Sequence, residues 1–157
     1  MPDVVGPSLM ARALRFLSRR EHSRQELRKK LLPHAVDNIS ALDELLDRLE
    51  RESWLSNERY AESLVRRKSE RYGASRIIDE LKQQAISSEI IEGLKENLKE
   101  TEENRAWALW SRKYGELIPT EPKEKAKQIR YMASKGFSMD LIIKIVSGRC
   151  RPNTDFD

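Results

Sequence analysis

Apolar residues recur along the chain at helical spacings: Met10, Ala13, Leu14 and Leu17, then Leu42, Leu45, Leu46 and Leu49, then Tyr60, Ala61, Leu64 and Val65. No stretch alternates with the two-residue period of a half-buried strand. Stops fall between the runs, at Pro33, Gly73, Pro119 with Pro122, Gly136 and Gly148. Proline cannot continue a helix, and glycine readily takes the left-handed conformation that ends one. Starts are marked by hydroxyls. Ser23 with Glu26 has capping-box spacing, Ser40 with Asp43 is a weaker version, and Ser56, Ser75, Ser87 and Ser138 can each accept a first-turn amide. The pattern predicts nine helices, beginning near residues 8, 23, 40, 56, 75, 87, 101, 121 and 138.

The helices read as three groups of three. From their middle helices the second and third groups align without a gap: Leu81, Ile86, Ile90, Ile91 and Leu94 match Met132, Phe137, Leu141, Ile142 and Ile145. The first group matches more loosely, with Leu27 and Leu32, an insertion from Pro33 to Ile39, then Leu45, Leu46 and Leu49. Short helical units that cannot each bury an apolar stripe stack on their neighbours. The rival explanation is chance similarity between amphipathic helices. The expected fold is all-α: three tandem three-helix repeats in an elongated array that can curve. An N-terminal segment would cover 1–10, the repeats 11–53, 54–100 and 101–148, and a tail 149–157.

Charge adds a second periodicity. The formal net charge is +4, with 36% charged residues. Residues 11–34 hold eight Arg/Lys against two acids and 35–62 hold three against eight. Residues 63–76 hold five against one, 77–104 three against eight, and 105–135 eight against three. Alternating blocks can give an array a basic face that attracts a polyanion, or can simply solvate helix surfaces.

The candidate chemistry is sparse. Cys150 is the only cysteine, so no internal disulfide forms and a reducing, cytoplasmic setting is expected. Met1 to Leu9 lacks the character of a secretion signal, and nowhere do 18 apolar residues run together, so no membrane partner is expected. No glycine pair has the Gly-x-x-x-x-Gly-Lys spacing that cradles phosphates. His22 and His34 are twelve positions apart and form no metal or nucleophile pattern with Cys150. Asp79-Glu80 and Glu102-Glu103 are sequence neighbours and point apart on a helix. No catalytic residue, metal or cofactor is called for.

The segment Trp54 to Ile86, W-L-S-N-E-R-Y-A-E-S-L-V-R-R-K-S-E-R-Y-G-A-S-R-I-I-D-E-L-K-Q-Q-A-I, resembles the signature of the RecX family. Leu55, Arg59, Tyr60, Ala61, Arg66, Arg67, Gly73, Arg76, Ile77, Glu80, Leu81 and Ile86 occupy the matching positions. Ser23 to Leu31, Arg112 to Gly115 and Met132 to Phe137 extend the likeness over about residues 11 to 147. Ser56-Asn57 stands where acids are usual, and Ala85 where glycine is usual. The resemblance implies a non-enzymatic regulator that binds RecA filaments on DNA. It would inhibit RecA ATPase, strand exchange and filament growth in the control of recombination and repair. The implied partners are RecA and, through weak salt-dependent contacts, single- or double-stranded DNA; the chain is expected to be monomeric. A general helical nucleic-acid-binding or adaptor protein is the alternative.

For such a surface the candidate residues are cations. Arg66, Arg67, Lys68, Arg71 and Arg76 form one cluster; Arg19, Arg20, Arg24, Arg28, Lys29 and Lys30 a second; Lys123, Lys125, Lys127 and Arg130 a third. They could meet phosphates or acidic protein loops, or pair with the chain's own acids. Trp107, Trp110 and Tyr114 share a helical face, which favours burial over base stacking. Trp54 is expected to wedge between repeats and Gly73 to be a left-handed helix terminus. Tyr60, Leu81 and Ile86 are expected in the core.

Overall fold

A computed structural model describes residues 7–150, so expectations for the extreme N-terminus and for the tail beyond Cys150 lie outside the described residues. Every regular element among them is helical: α1 (Leu9–Arg19), α2 (Arg24–Leu31), a 3-10 turn (Leu32–His34), α3 (Ile39–Arg51), α4 (Asn57–Lys68), α5 (Ala74–Gln83), α6 (Ser88–Tyr114), α7 (Pro122–Ser134) and α8 (Met139–Val146). Eight α-helices thus stand where the pattern predicts nine. The predicted start at residue 101 does not exist, because α6 runs through it without a break. No proline interrupts the segment, Gly93 is accommodated inside the helix, and the Thr101 hydroxyl donates to the Asn97 carbonyl at 2.9 Å instead of capping a new helix.

Most predicted caps form. Ser23, Ser56, Ser87 and Ser138 accept from the amides of Glu26, Arg59, Ile90 and Leu141, and Ser8, which was not predicted, caps α1 by accepting from Ala11. Two do not. Asn38, not Ser40, caps α3 by accepting from Ala41. Helix α5 begins one residue before Ser75, whose hydroxyl donates instead to the Gly136 carbonyl at 2.7 Å. Pro122 opens α7, Gly115 closes α6 in the left-handed region, and Gly136 and Gly148 also have positive φ.

The described chain divides into two compact units, one reaching to Ser63 and including Gln83–Ile86, the other comprising Leu64–Lys82 and the residues from Ser87 onward. In the first, α1, α2 and α3 enclose Ala13, Leu27, Leu31, Leu42, Leu46, Leu49 and Leu55. In the second, α8 packs on α6 and α7 around Ala106, Trp110, Met132, Phe137, Ile142 and Ile145. Tyr60, Leu81 and Ile86 are buried, as is Trp110; Trp107 is half-buried against the second core. Trp54 does not act as a wedge: it follows the left-handed Ser53 that ends α3 and is 56% exposed.

Each unit contains one instance of a recurring joint. At the start of α2, Gln25 Nε2 donates to the Gln83 carbonyl at 2.9 Å, Ser23 Oγ donates to Gln84 Oε1 at 3.1 Å, and the Arg24 amide donates to Asn57 Oδ1 at 2.8 Å. At the start of α5, Arg76 donates to the Ser134 carbonyl at 2.9 Å and the Gly73 amide to the Lys135 carbonyl at 2.8 Å. There the Ala74 amide donates to Glu102 Oε1 at 3.2 Å. The beginning of one middle helix is therefore seated on the turn that ends the next, and a side chain of a further helix satisfies its first amide. A carboxylate in that position also complements the positive end of α5.

This arrangement corrects the expected role of Gly73, which is not among the residues of positive φ. Glycine is needed for proximity: a Cβ built there would lie 2.2 Å from the Gly136 carbonyl oxygen and 2.5 Å from the Phe137 nitrogen. Gly136 has both constraints, with φ +89 and a Cβ position 2.4 Å from Arg76 Cβ.

Candidate functional site

The joint between α5 and the end of α7 gathers cations around two tyrosines. Over the Tyr72 ring stand Arg76 Cζ at 4.1 Å, Lys135 Nζ at 5.4 Å, Lys68 Nζ at 5.8 Å and Arg71 Cζ at 5.9 Å. Lys135 also lies 5.5 Å from the Tyr131 ring, which Lys113 approaches at 4.9 Å and Tyr114 meets edge-on at 5.8 Å. Aromatic faces attract cations through their quadrupole, by about 0.5–1 kcal/mol each when exposed, so the rings can hold neighbouring positive charges together. Among these cations only Lys68 has a carboxylate partner, Glu80 at 2.7 Å. Arg71, Arg76, Lys113 and Lys135 have none among the described residues, leaving a net positive surface.

Arg105 supports this surface from beneath. Its guanidinium donates to the carbonyls of Ser69 and Tyr72, each at 2.7 Å, to that of Leu98 at 2.8 Å, and to Thr101 Oγ1 at 3.0 Å. It thereby fixes the turn between α4 and α5 that carries Arg71 and Tyr72. Burial lowers its affinity for the proton, and nearby Glu102 opposes that effect. Arg112 adds a bond to the Glu70 carbonyl at 3.3 Å.

The predicted clusters fare differently. Arg66 and Arg67 are exposed at the end of α4 without an ion pair to any described residue. In the α1–α2 cluster the acids of the same unit claim the arginines: Arg20 pairs with Glu26 at 2.9 Å, Arg24 with Asp47 and Glu50 at 2.7 and 2.8 Å, and Arg28 with Asp43 at 2.9 Å. Lys30 donates to His22 Nε2 at 2.9 Å and lies 5.1 Å from the Phe16 ring. Arg19 and Lys29 stay exposed and without a carboxylate partner among the described residues. On α7, Lys123, Lys127 and Arg130 are exposed and follow one helical face, and neither they nor the half-buried Lys125 touch the tyrosine group.

The sequence reading missed Tyr72, Lys113, Tyr131 and Lys135 as site residues. Their signal was the recurrence of aromatic and basic residues beside the glycines of R-Y-G, R-K-Y-G and Y-M-A-S-K-G. His22 is buried and Cys150 is inert: burial and the bond from its Sγ to Glu103 push the thiol up to about 11. No group of three His, Cys, Asp or Glu among the described residues could hold a metal, and no described helix is long and apolar enough to cross a membrane.

Family models match the three repeats in turn: the RecX first three-helix domain at residues 10–49, the second at 56–93 and the third at 100–146. The third begins inside α6, where Glu102 makes the joint described above. Among curated relatives, the regulatory protein RecX of Ralstonia pickettii (strain 12J) is 50% identical over 141 residues, covering 90% of this chain and 87% of the relative. That of Ralstonia nicotianae (strain ATCC BAA-1114 / GMI1000) is 47% identical over the same coverage. The crystal structure of RecX from Lactobacillus salivarius has the same fold, with a TM-score of 0.70 at 24% identity over 90% of this chain and 94% of that one. With three successive domain matches and relatives this close over most of its length, the chain is a member of the RecX family.

Proposed function

We propose that this protein binds RecA filaments on DNA in the cytoplasm and inhibits RecA ATPase, strand exchange and filament growth, so restraining recombination and repair. It acts by occupancy, as a monomer, and performs no chemistry itself. The observation that carries the reading is the surface of Arg71, Arg76, Lys113 and Lys135 arrayed on Tyr72 and Tyr131, with no carboxylate among the described residues paired to any of the four. Cations already held in place lose less freedom when they meet a polyanion, and Arg and Lys suit phosphates and acidic loops alike. Arg66 and Arg67 extend the supply of unpaired charge on the neighbouring helix.

The test is DNA-dependent ATP hydrolysis by the cognate RecA, titrated with the wild-type protein, an Arg71→Glu, Lys113→Glu variant and an Arg66→Glu, Arg67→Glu variant. The first variant is expected to need about tenfold more protein for the same inhibition, corresponding to about 1.4 kcal/mol. An Arg20→Glu, Arg28→Glu control should change potency much less, since those cations are already paired. Direct phosphate contact would add a fall of roughly 0.7–0.9 in log-log salt slope per contact. Binding to bare DNA with RecA turnover unchanged would instead establish a general nucleic-acid-binding protein and overturn the proposal.

A further inference from the structure

The α6–α7 connection forms a second surface of opposite chemistry. A cleft of about 390 Å³ is lined chiefly by Tyr114, Leu117, Ile118, Glu121, Glu124 and Gln128. Its apolar members are displayed outward: Leu117 is 75% exposed and Ile118 51%. The backbone causes this display, since Gly115 and Glu116 both adopt φ +65. For glutamate that conformation is disfavoured, and such strain persists only where the surrounding structure imposes it. Ile118 also rests against Gly148, where an added Cβ would lie 2.5 Å from Ile118 Cδ1.

The polar members are organised from the core. Buried Trp110 donates through Nε1 to Gln128 Oε1 at 2.8 Å, and Gln128, itself 3% exposed, donates through Nε2 to Glu124 Oε1 at 3.3 Å. This relay holds the Glu124 carboxylate at the cleft, its other oxygen without a hydrogen bond to any described residue. Glu121, at the start of α7, is exposed. Neither carboxylate has an ion pair among the described residues, and the cleft lining contains no cation. A cleft that offers exposed Leu117 and Ile118 beside two carboxylates without an ion pair among the described residues complements a large apolar side chain followed closely by a cation.

We infer that this cleft docks a protein segment presenting a leucine-like side chain next to lysine or arginine, a partner surface that meets the basic one at Tyr114. The inference does not depend on the proposed function. Its test uses the full chain, ¹⁵N-labelled, and three blocked hexapeptides at millimolar concentration: Ala-Ala-Leu-Lys-Arg-Ala, Ala-Ala-Leu-Glu-Glu-Ala and Ala-Ala-Ser-Lys-Arg-Ala. The first should shift the amides of Leu117 to Gln128 and the Trp110 indole, while the other two should bind at least about fivefold more weakly. A Glu121→Gln, Glu124→Gln variant, whose changes are isosteric and peripheral, should lose about the same factor and show a flatter salt dependence. Leu117→Ser should weaken the first peptide as well. Equal binding of all three peptides, shifts confined to other residues, or no shift with the first peptide would each overturn the inference.

Discussion

At the start of α2, side chains make the joint: Ser23, Gln25 and Asn57 bridge backbone and amide groups across packed elements. At the start of α5 the backbone itself makes much of it, with Gly73 pressed against the Gly136–Phe137 peptide and bonded to the Lys135 carbonyl. The difference extends to the cations nearby. Beside α2 the arginines Arg24 and Arg28 are held by Asp43, Asp47 and Glu50 of α3. Beside α5 the close backbone approach brings Arg76 and Lys135 onto one tyrosine, and most of the cations there have no carboxylate partner among the described residues. Two blocks that look alike by residue count thus have different fates, decided by whether an acidic helix of the same unit lies within reach. Charge along a sequence is informative about binding only after such pairing is known.

The two joints differ most in their tolerance of a side chain placed where backbone meets backbone. Gly73→Ala should destabilise the protein by about 3 kcal/mol or more, because the obstructing atoms are a main-chain carbonyl and amide that cannot rotate away. Ser23→Ala, which removes a cap and one bridging hydroxyl in the other joint, should cost about 1 kcal/mol. Urea unfolding of the two variants checks both values, and similar losses would abolish the distinction. Between these two in size is Arg105→Ala, expected to cost about 2–3 kcal/mol by leaving the carbonyls of Ser69, Tyr72 and Leu98 without their charged donor. Faster amide exchange from Ser69 to Gly73 should accompany it. Arg105→Lys should recover little, since one ammonium cannot reproduce the fork.

Much of this architecture was legible in the sequence. Apolar spacing and the capping residues placed all eight helix starts within one residue of a predicted one, and the spacing gave the alignment of Leu81 and Ile86 with Met132 and Phe137. These are local periodicities, which a helix expresses directly. The continuity of α6 was not legible, because Thr101 serves equally as a cap or as a hydroxyl bonded back within the helix, and tertiary context decides. Gly73 could be recognised as necessary, but a glycine required for proximity and one required for positive φ look the same in one sequence. The site was legible only as charge. Which cations are neutralised depends on contacts such as Arg28 with Asp43, and the gathering role of Tyr72 depends on a residue 63 positions away, Lys135.

A smaller effect distinguishes the joints by pH. His22 is buried immediately before α2, with Nδ1 3.0 Å from the Arg20 carbonyl and Nε2 accepting from Lys30. Burial lowers its pKa from the ordinary 6.5; the bond to the Arg20 carbonyl and the charge of Glu26 oppose this, whereas the charges of Arg20 and Lys30 add to it. The folded state therefore holds His22 neutral, while the unfolded chain takes up a proton near 6.5. Stability from this group is present above 6.5 and is lost as the pH falls through that value toward the depressed one. Tyr72 and Gly73 precede α5, so no histidine contributes such a limb there. Thermal unfolding of wild type should show the decline between neutral and mildly acid pH, and a His22→Gln variant should show less of it.

The smallest change concerns the turns that receive each helix start. In the second joint the turn residue is Gly136 at φ +89; in the first, offset by the same 51 positions that relate Leu81 to Met132, it is Ala85 at φ +55. A left-handed alanine is strained by about 1 kcal/mol relative to glycine, and Ala85 is exposed, so its methyl group contributes little packing. The added freedom of glycine in the unfolded chain offsets part of the gain. Ala85→Gly should therefore stabilise the protein by about 0.5 kcal/mol, read as a small rise in the urea midpoint at unchanged slope. Gly136→Ala should act in the opposite direction and much more strongly, because it adds a contact with Arg76 to the backbone strain. If Ala85→Gly instead destabilised the protein, the methyl group would be performing a packing role, and the two turns would share a position in the repeat without sharing the conformational demand that explains it.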